Sequence, residues 1–129
     1  MKSLMMPDMD AVMATHRRNM DAISAASRVE FEGAQSLARR NMEIQQQTMT
    51  ELADAAKALA AVQTPTAKAA KQAELLKAAY QHAVDNMKEL RDLIHKINAE
   101  ALGLLNTRFS EGLEEIQALI EKAGETREH

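Results

Sequence analysis

The sequence predicts an all-α fold, in which long amphipathic helices form an αα-hairpin or coiled coil with a short C-terminal helix. Three observations lead there. Apolar residues recur at alternating three- and four-residue spacing over nearly the whole chain, the pattern of a helix with one apolar stripe. Good helix formers (Ala, Gln, Glu, Lys, Leu, Met and Arg) dominate, and 4 Val and 6 Ile leave little from which to build strands. Pro65 is the only proline after residue 7, so one interior break is expected.

Taken in order, residues 1–7 read as a disordered lead, and Asp8 after Pro7 is a helix-start signal. Helix 1, about 8–62, carries the ladder Met9, Met13, His16, Met20, Ile23, Ser27, Phe31, Ala34, Ala38, Met42, Gln45, Met49, Leu52, Ala56, Leu59. Its seam is diluted by His16, Ser27 and Gln45. A turn at 63–66 follows, where Thr64-Pro65 makes an N-cap and first-position pair for the next helix. So short a break between helices of similar length favours an antiparallel hairpin with arms of roughly 60–80 Å at ~1.5 Å per residue. One kinked rod is the rival. Helix 2, about 65–107, carries the stronger ladder: Ala73, Leu76, Tyr80, Ala83, Met87, Leu90, Ile94, Ile97, Ala101, Leu104. Flanking Leu75, Val84, Leu93, Leu105 and Leu119 widen its stripe beyond a two-stranded seam, so further helices or a non-protein apolar surface must cover the excess. Near residue 104 the spacing changes, and Gly103 and Gly112 each weaken a helix by about 1 kcal/mol, which predicts a bend and a separate helix over about 110–124. Gly124 ends it, and 125–129 form a tail.

The hydrophobic fraction, 46%, overstates the core, because 24 of those residues are Ala and 9 are Met. An Ala in place of a buried Leu forfeits roughly 2 kcal/mol. Such a chain is marginal alone and stabilised by association. The residues expected on the association face are Met20, Ile23, Phe31, Leu52, Leu76, Tyr80, Met87, Leu90, Ile94, Ile97 and Leu104. The Met-rich start (Met5, Met6, Met9, Met13, Met20) reads either as core or as an adaptable adsorbing face.

Several chemistries find no support. Without Cys, disulfide and thiolate chemistry is excluded, which suits a reducing cytoplasm. The pairs His82/Asp85 and Asp92/His95 have half the spacing of a carboxylate-bridged metal site, but helix 1 offers only His16 opposite, so they read as solvated face residues. No nucleophile motif or phosphate loop occurs, and neither an enzyme nor a cofactor is expected. Arg17-Arg18 and Arg39-Arg40 lie among acids in a chain of net charge −3 with 2% aromatics, which argues against nucleic acid. No run is long enough for a signal peptide or membrane span, so a soluble or peripheral protein is expected, without integral membrane insertion. A cationic polar face suited to anionic bilayers is absent.

The stretches Met20-Asp-Ala-Ile-Ser-Ala-Ala-Ser and Phe31-Glu-Gly-Ala-Gln-Ser-Leu-Ala-Arg-Arg-Asn-Met-Glu-Ile44 resemble helix 1 of the bacterial phasins. Lys71–Leu75, Asn86–Leu90, Asn98–Ala101 and Arg108–Leu113 follow in matching order, so the resemblance spans roughly residues 9–118. It implies a non-enzymatic protein on the surface of polyhydroxyalkanoate storage granules in the bacterial cytoplasm, controlling granule size, number and coalescence. It also implies a homo-oligomer that presents sites to a granule synthase, depolymerase or regulator. On such a surface an amphipathic hairpin of this composition can open, exchanging helix–helix for helix–polymer burial at about 1–2 kcal/mol per half-buried Leu, and whether the arms part on adsorption is left open by the sequence. The alternative is an oligomeric coiled-coil adaptor or chaperone-like protein that uses the same stripes on other proteins.

Overall fold

The computed structural model describes residues 9–128; the lead at 1–7, the Asp8 cap, Met5, Met6 and His129 lie outside the described residues. Two helices make up the fold: α1, Met9–Ala61, of 53 residues, and α2, Pro65–Glu128, of 64. No strand occurs among the described residues.

The connection follows from local chemistry. The Val62 amide still reaches the Leu59 carbonyl at 3.3 Å, after which the chain leaves the helix. Thr64 then caps α2: its Oγ1 accepts the Ala67 amide at 3.2 Å and its carbonyl accepts the Lys68 amide at 2.9 Å. Pro65 occupies the first helical position, where a missing N–H costs nothing.

Contrary to expectation, α2 does not break near residue 107, and no separate helix starts at 110; residues 110–124 are part of α2, which also runs through Gly124. The two glycines cost about 1 kcal/mol each, less than a long run of good formers supplies. The change in spacing has another origin, given below.

The chain divides into two packed units, each joining one stretch of α1 to one of α2. In the first, residues 9–32 pack with 97–128. Thr15 and Arg18 meet Glu115, and Asn19 meets Arg108, so the helices run antiparallel. The second unit is Gly33–Lys96 and contains the turn. Here Arg40 meets Glu89 and Glu51 meets His82, again antiparallel.

The least exposed positions of each helix step by four, three and four residues. In α1 they run Ala22, Ala26, Val29, Gly33, Leu37, Arg40, Ile44; in α2 they run Asn86, Leu90, Leu93, Ile97, Ala101, then Arg108, Gly112, Glu115, Leu119. This is an eleven-residue repeat, near the α-helix's own period, so the stripe stays on one side of the helix without left-handed supercoiling. The expected heptad ladders were therefore drawn on the wrong face over much of their length. A strict heptad drifts about 20° per repeat on a straight helix. The α2 ladder crosses the true seam from Leu90 to Ala101, while Leu76, Tyr80 and Leu104 stand exposed. The apparent stutter near residue 104 is this repeat, since seven plus four residues make eleven. His16, Ser27 and Gln45, expected on the seam, are exposed.

The repeat is also written in the residues of α1. Segments 10–20 (DAVMATHRRNM), 21–31 (DAISAASRVEF) and 32–42 (EGAQSLARRNM) align without a gap. Each opens on an acid, follows with a small seam residue (Ala11, Ala22, Gly33), carries Arg at its eighth place and ends on Met or Phe. The small residues let the helices approach closely but leave a thin core: Ala26, Ile44 and Ala101 are its buried apolar side chains among the described residues.

Candidate functional site

Position relative to the seam sorts the remaining residues. In α2 the residue after a seam position is usually large and apolar: Leu76, Met87, Ile94, Leu102, Leu105, Phe109, Leu113, Ile116 and Ile120. The residue before it is usually charged: Glu74, Asp85, Glu89, Asp92, Lys96, Glu100, Glu111 and Glu114. In α1, Val12, Ile23, Met49 and Leu52 follow the seam, and Met20, Phe31 and Met42, two before it, reach the same side at about 100° per residue. Asp10, Asp21, Glu32, Glu43 and Asp54 precede it, one per repeat. In an antiparallel pair, advancing past the seam leads to the same side from either helix. Each unit therefore has an apolar flank and a charged flank, separated by the seam. Glu30 and Arg91 are charged interruptions of the apolar flank.

That flank is bare. Phe109 is 68% exposed and Tyr80 72%. Of the eleven residues expected on the association face, Met20, Ile23, Phe31, Leu52, Leu76, Tyr80, Met87, Ile94 and Leu104 are exposed, while Leu90 and Ile97 are half-buried on the seam. Met9, Met13 and Met20 lie on the exposed side, so reading the Met-rich start as core is not sustained there. In the first unit the flank dips into an open groove between Ile23 and Ala22 of α1 and Leu105, Phe109, Gly112, Leu113 and Ile116 of α2. Gly112 and Ala22 keep it open by being small.

Polar clasps hold the seam. In the first unit the Arg108 side chain is 8% exposed. Its Nε donates to Asn19 Oδ1 at 2.7 Å, and Nη1 and Nη2 donate to Glu115 at 3.0 and 2.6 Å, with a further bond to Glu111 at 3.2 Å. Glu115 also accepts from Thr15 Oγ1 at 3.0 Å and Arg18 Nη1 at 2.6 Å. Hydrogen bonds from Arg108, then from Arg18 and Thr15, hold the Glu115 carboxyl down at about 2 against the partial desolvation that raises it. The Arg108 guanidinium is raised in turn, first by Glu115. In the second unit Arg40 grips Glu89 through Nε at 2.6 Å and Nη2 at 3.2 Å, a bidentate pair, and reaches Glu43 at 3.1 Å. His82 Nδ1 lies 3.1 Å from Glu51. Arg18 and Arg40 are the second arginines of the two Arg-Arg-Asn-Met copies, and each reaches across to a glutamate of α2. Sequence reasoning weighed these arginines only against nucleic-acid binding and missed the clasp; the repeat spacing, which puts Arg108 in line with Ile97 and Leu119, was the available signal.

Among the described residues no group of His, Asp and Glu is arranged to hold a metal ion, and no helix is long and apolar enough to cross a membrane. The family model described as Phasin protein matches residues 10–109. The chain belongs to the phasin family. Phasins are granule-associated and non-enzymatic. No curated protein and no solved structure gives a significant match. The matched region begins at the first acid of the eleven-residue repeat in α1 and ends at Phe109 on the apolar flank of α2.

Proposed function

We propose that this phasin is a coat protein of polyhydroxyalkanoate granules that adsorbs with its hairpin closed. The apolar flank lies on the polyester and the charged flank faces water. The observation that carries this reading is the segregation of exposed large apolar side chains from charge, on opposite sides of the seam, in both units. An uncharged polymer offers no headgroup for a charged face to bind, and the apolar flank asks for none. Each Leu, Ile, Met or Phe moved from water to polymer contributes about 1–2 kcal/mol, so a few such contacts already make adsorption tight.

On this reading opening is unnecessary, since closed helices already present the face. The outward charged flank, of mixed sign, keeps coated particles apart and so limits coalescence, which governs granule size and number. The protein works as a homo-oligomer when off the granule and holds no catalytic site. The same outward flank is the surface available to a synthase, depolymerase or regulator, and the setting is the granule surface in a bacterial cytoplasm.

Binding of purified protein to polyhydroxybutyrate particles tests this. Retention that survives high salt and fails in mild detergent is the expected result. Failure to adsorb, with a discrete protein complex in pull-down, would favour an adaptor role.

A further inference from the structure

We infer that the groove of the first unit grips a single strand of uncharged ester chain, through N–H donors of Asn19 and Arg108. The identity of that chain with the granule polymer rests on the granule reading above; the grip rests on the chemistry of the groove.

Besides the apolar side chains named above, Thr15, Asn19 and Arg108 line this groove. Its volume, about 390 Å³, falls within the roughly 300–1,000 Å³ of sites that hold small molecules. Such sites join apolar walls to a few fixed polar groups. A short run of extended chain enters a groove of this size, whereas the face of a particle rests across its mouth.

The clasp fixes the polar groups. Arg108 donates through Nε to Asn19 Oδ1, through Nη1 to Glu111 and Glu115, and through Nη2 to Glu115. Among the described residues, these bonds leave one N–H of Arg108 and the Nδ2 amide group of Asn19 without a protein acceptor. The groove therefore offers an occupant chiefly donors. Arg18 and Arg108 against Glu111 and Glu115 also make the cluster neutral overall.

An ester chain answers both properties. It carries acceptors, no donors and no charge. A hydrocarbon would cover the donors and leave them unpaired, which is costlier than leaving them wet. A carboxylate or phosphate would bring negative charge against Glu111 and Glu115. A polyamide would bring N–H groups in need of acceptors, and the carboxylates nearby are already engaged by arginine. Both helices supply walls, Asn19 and Ile23 from α1 and Arg108 and Phe109 from α2. The groove thus exists only while the helices of this unit stay together.

Titration with a soluble oligoester tests this. The probe is a 3-hydroxybutyrate tetramer, acetylated at its hydroxyl end and methyl-esterified at its acid end, so that it has neither charge nor donors. Calorimetry on the full chain should show saturable binding of one probe per chain. The amide counterpart, a capped 3-aminobutyrate tetramer, should bind at least about tenfold more weakly. Asn19→Asp keeps an acceptor for Arg108 Nε and removes the side-chain N–H donors. Gly112→Leu fills the groove, and a Cβ added there meets nothing within 4 Å. Each variant should weaken oligoester binding at least about tenfold, with helicity and thermal midpoint near wild type. Leu76→Ser, in the second unit, is the control and should leave that binding unchanged. Non-saturable binding, equal affinity for the amide, or affinity unchanged in Asn19→Asp and Gly112→Leu would each overturn the inference. Adsorption of the same proteins to polyhydroxybutyrate beads separates the two readings. Wild-type protein that coats beads but fails these titrations keeps the coat reading and loses the groove. Groove-dependent oligoester binding without bead adsorption keeps the groove and rejects the coat.

Discussion

Arg108 and Glu115, seven residues apart on α2, are joined by two hydrogen bonds of 3.0 and 2.6 Å, and Thr15 and Arg18 of α1 close on the same carboxylate. A residue two turns along the same helix thus becomes the bridge to the other helix. Beside so thin an apolar core, this clasp is a directional contact between the two helices at one defined alignment of their residues.

The clasp makes stability depend on acid. The Glu115 carboxyl has a folded value of about 2 against an ordinary 4.5. The unfolded chain therefore binds more protons between those values, and the stabilisation, full above pH 4.5, is lost as pH falls toward 2. Thermal midpoints measured by circular dichroism should drop across that window. Glu115→Gln should lower the midpoint at pH 7 and flatten the acid slope; an unchanged slope would mean the clasp does not form in solution.

The continuity of α2 has its own check. A Cβ added at Gly103 or Gly112 meets nothing within 4 Å. If both sit inside an unbroken helix, Gly103→Ala and Gly112→Ala each raise stability by about 0.5–1 kcal/mol. Urea unfolding measures this, and a loss at either site would indicate a backbone that is not helical there.

Close approach at the seam predicts intolerance of bulk. Ala101 is 4% exposed, so Ala101→Leu should destabilise the hairpin by about 1–3 kcal/mol through overpacking. A larger side chain that stabilised the protein would place the seam elsewhere.

Much of this was legible in the sequence, and the failures have one cause. Helix content, the break at Pro65 and its Thr64 cap follow from local propensity, which tertiary context did not override. Which stripe faces the partner helix did not follow. Large apolar residues suggest core, so Met20, Phe31 and Met42 drew the ladder toward themselves, whereas Ala11, Ala22, Ala26 and Gly33 form the seam because small side chains let two backbones approach. The heptad and eleven-residue stripes also coincide at Leu90, Ile97 and Ala101, where the pattern is strongest, and part only beyond. The acids at 10, 21, 32, 43 and 54 and the repeated Arg-Arg-Asn-Met held the true period. The groove and the clasp depend on residues about ninety positions apart, which no local pattern joins.

Separating the seam from the flank yields a contrast. Ile23→Lys, Leu76→Lys and Met87→Lys together, all on the exposed flank, should weaken binding to polyhydroxybutyrate beads by at least about 100-fold, at 1–2 kcal/mol per lost contact. Helicity and unfolding midpoint should stay near wild type. Leu90→Ser with Ile97→Ser, on the seam, should do the reverse: lower stability first and affect adsorption only through unfolding. Equal effects of the two sets on adsorption at matched helicity would erase the distinction between the faces.

The most direct measurement joins the two helices covalently and asks whether the protein still coats polymer. Arg18 and Glu115 meet at 2.6 Å across the seam of the first unit, and in the second unit the turn ties the helices. Cysteines at both positions, linked by a short bismaleimide, hold the hairpin shut without touching the apolar flank. Adsorption to polyhydroxybutyrate beads equal to that of the unlinked protein is the predicted result. Adsorption lost on linking and restored with a cleavable linker would contradict it, because the seam residues would then be the ones that meet the polymer.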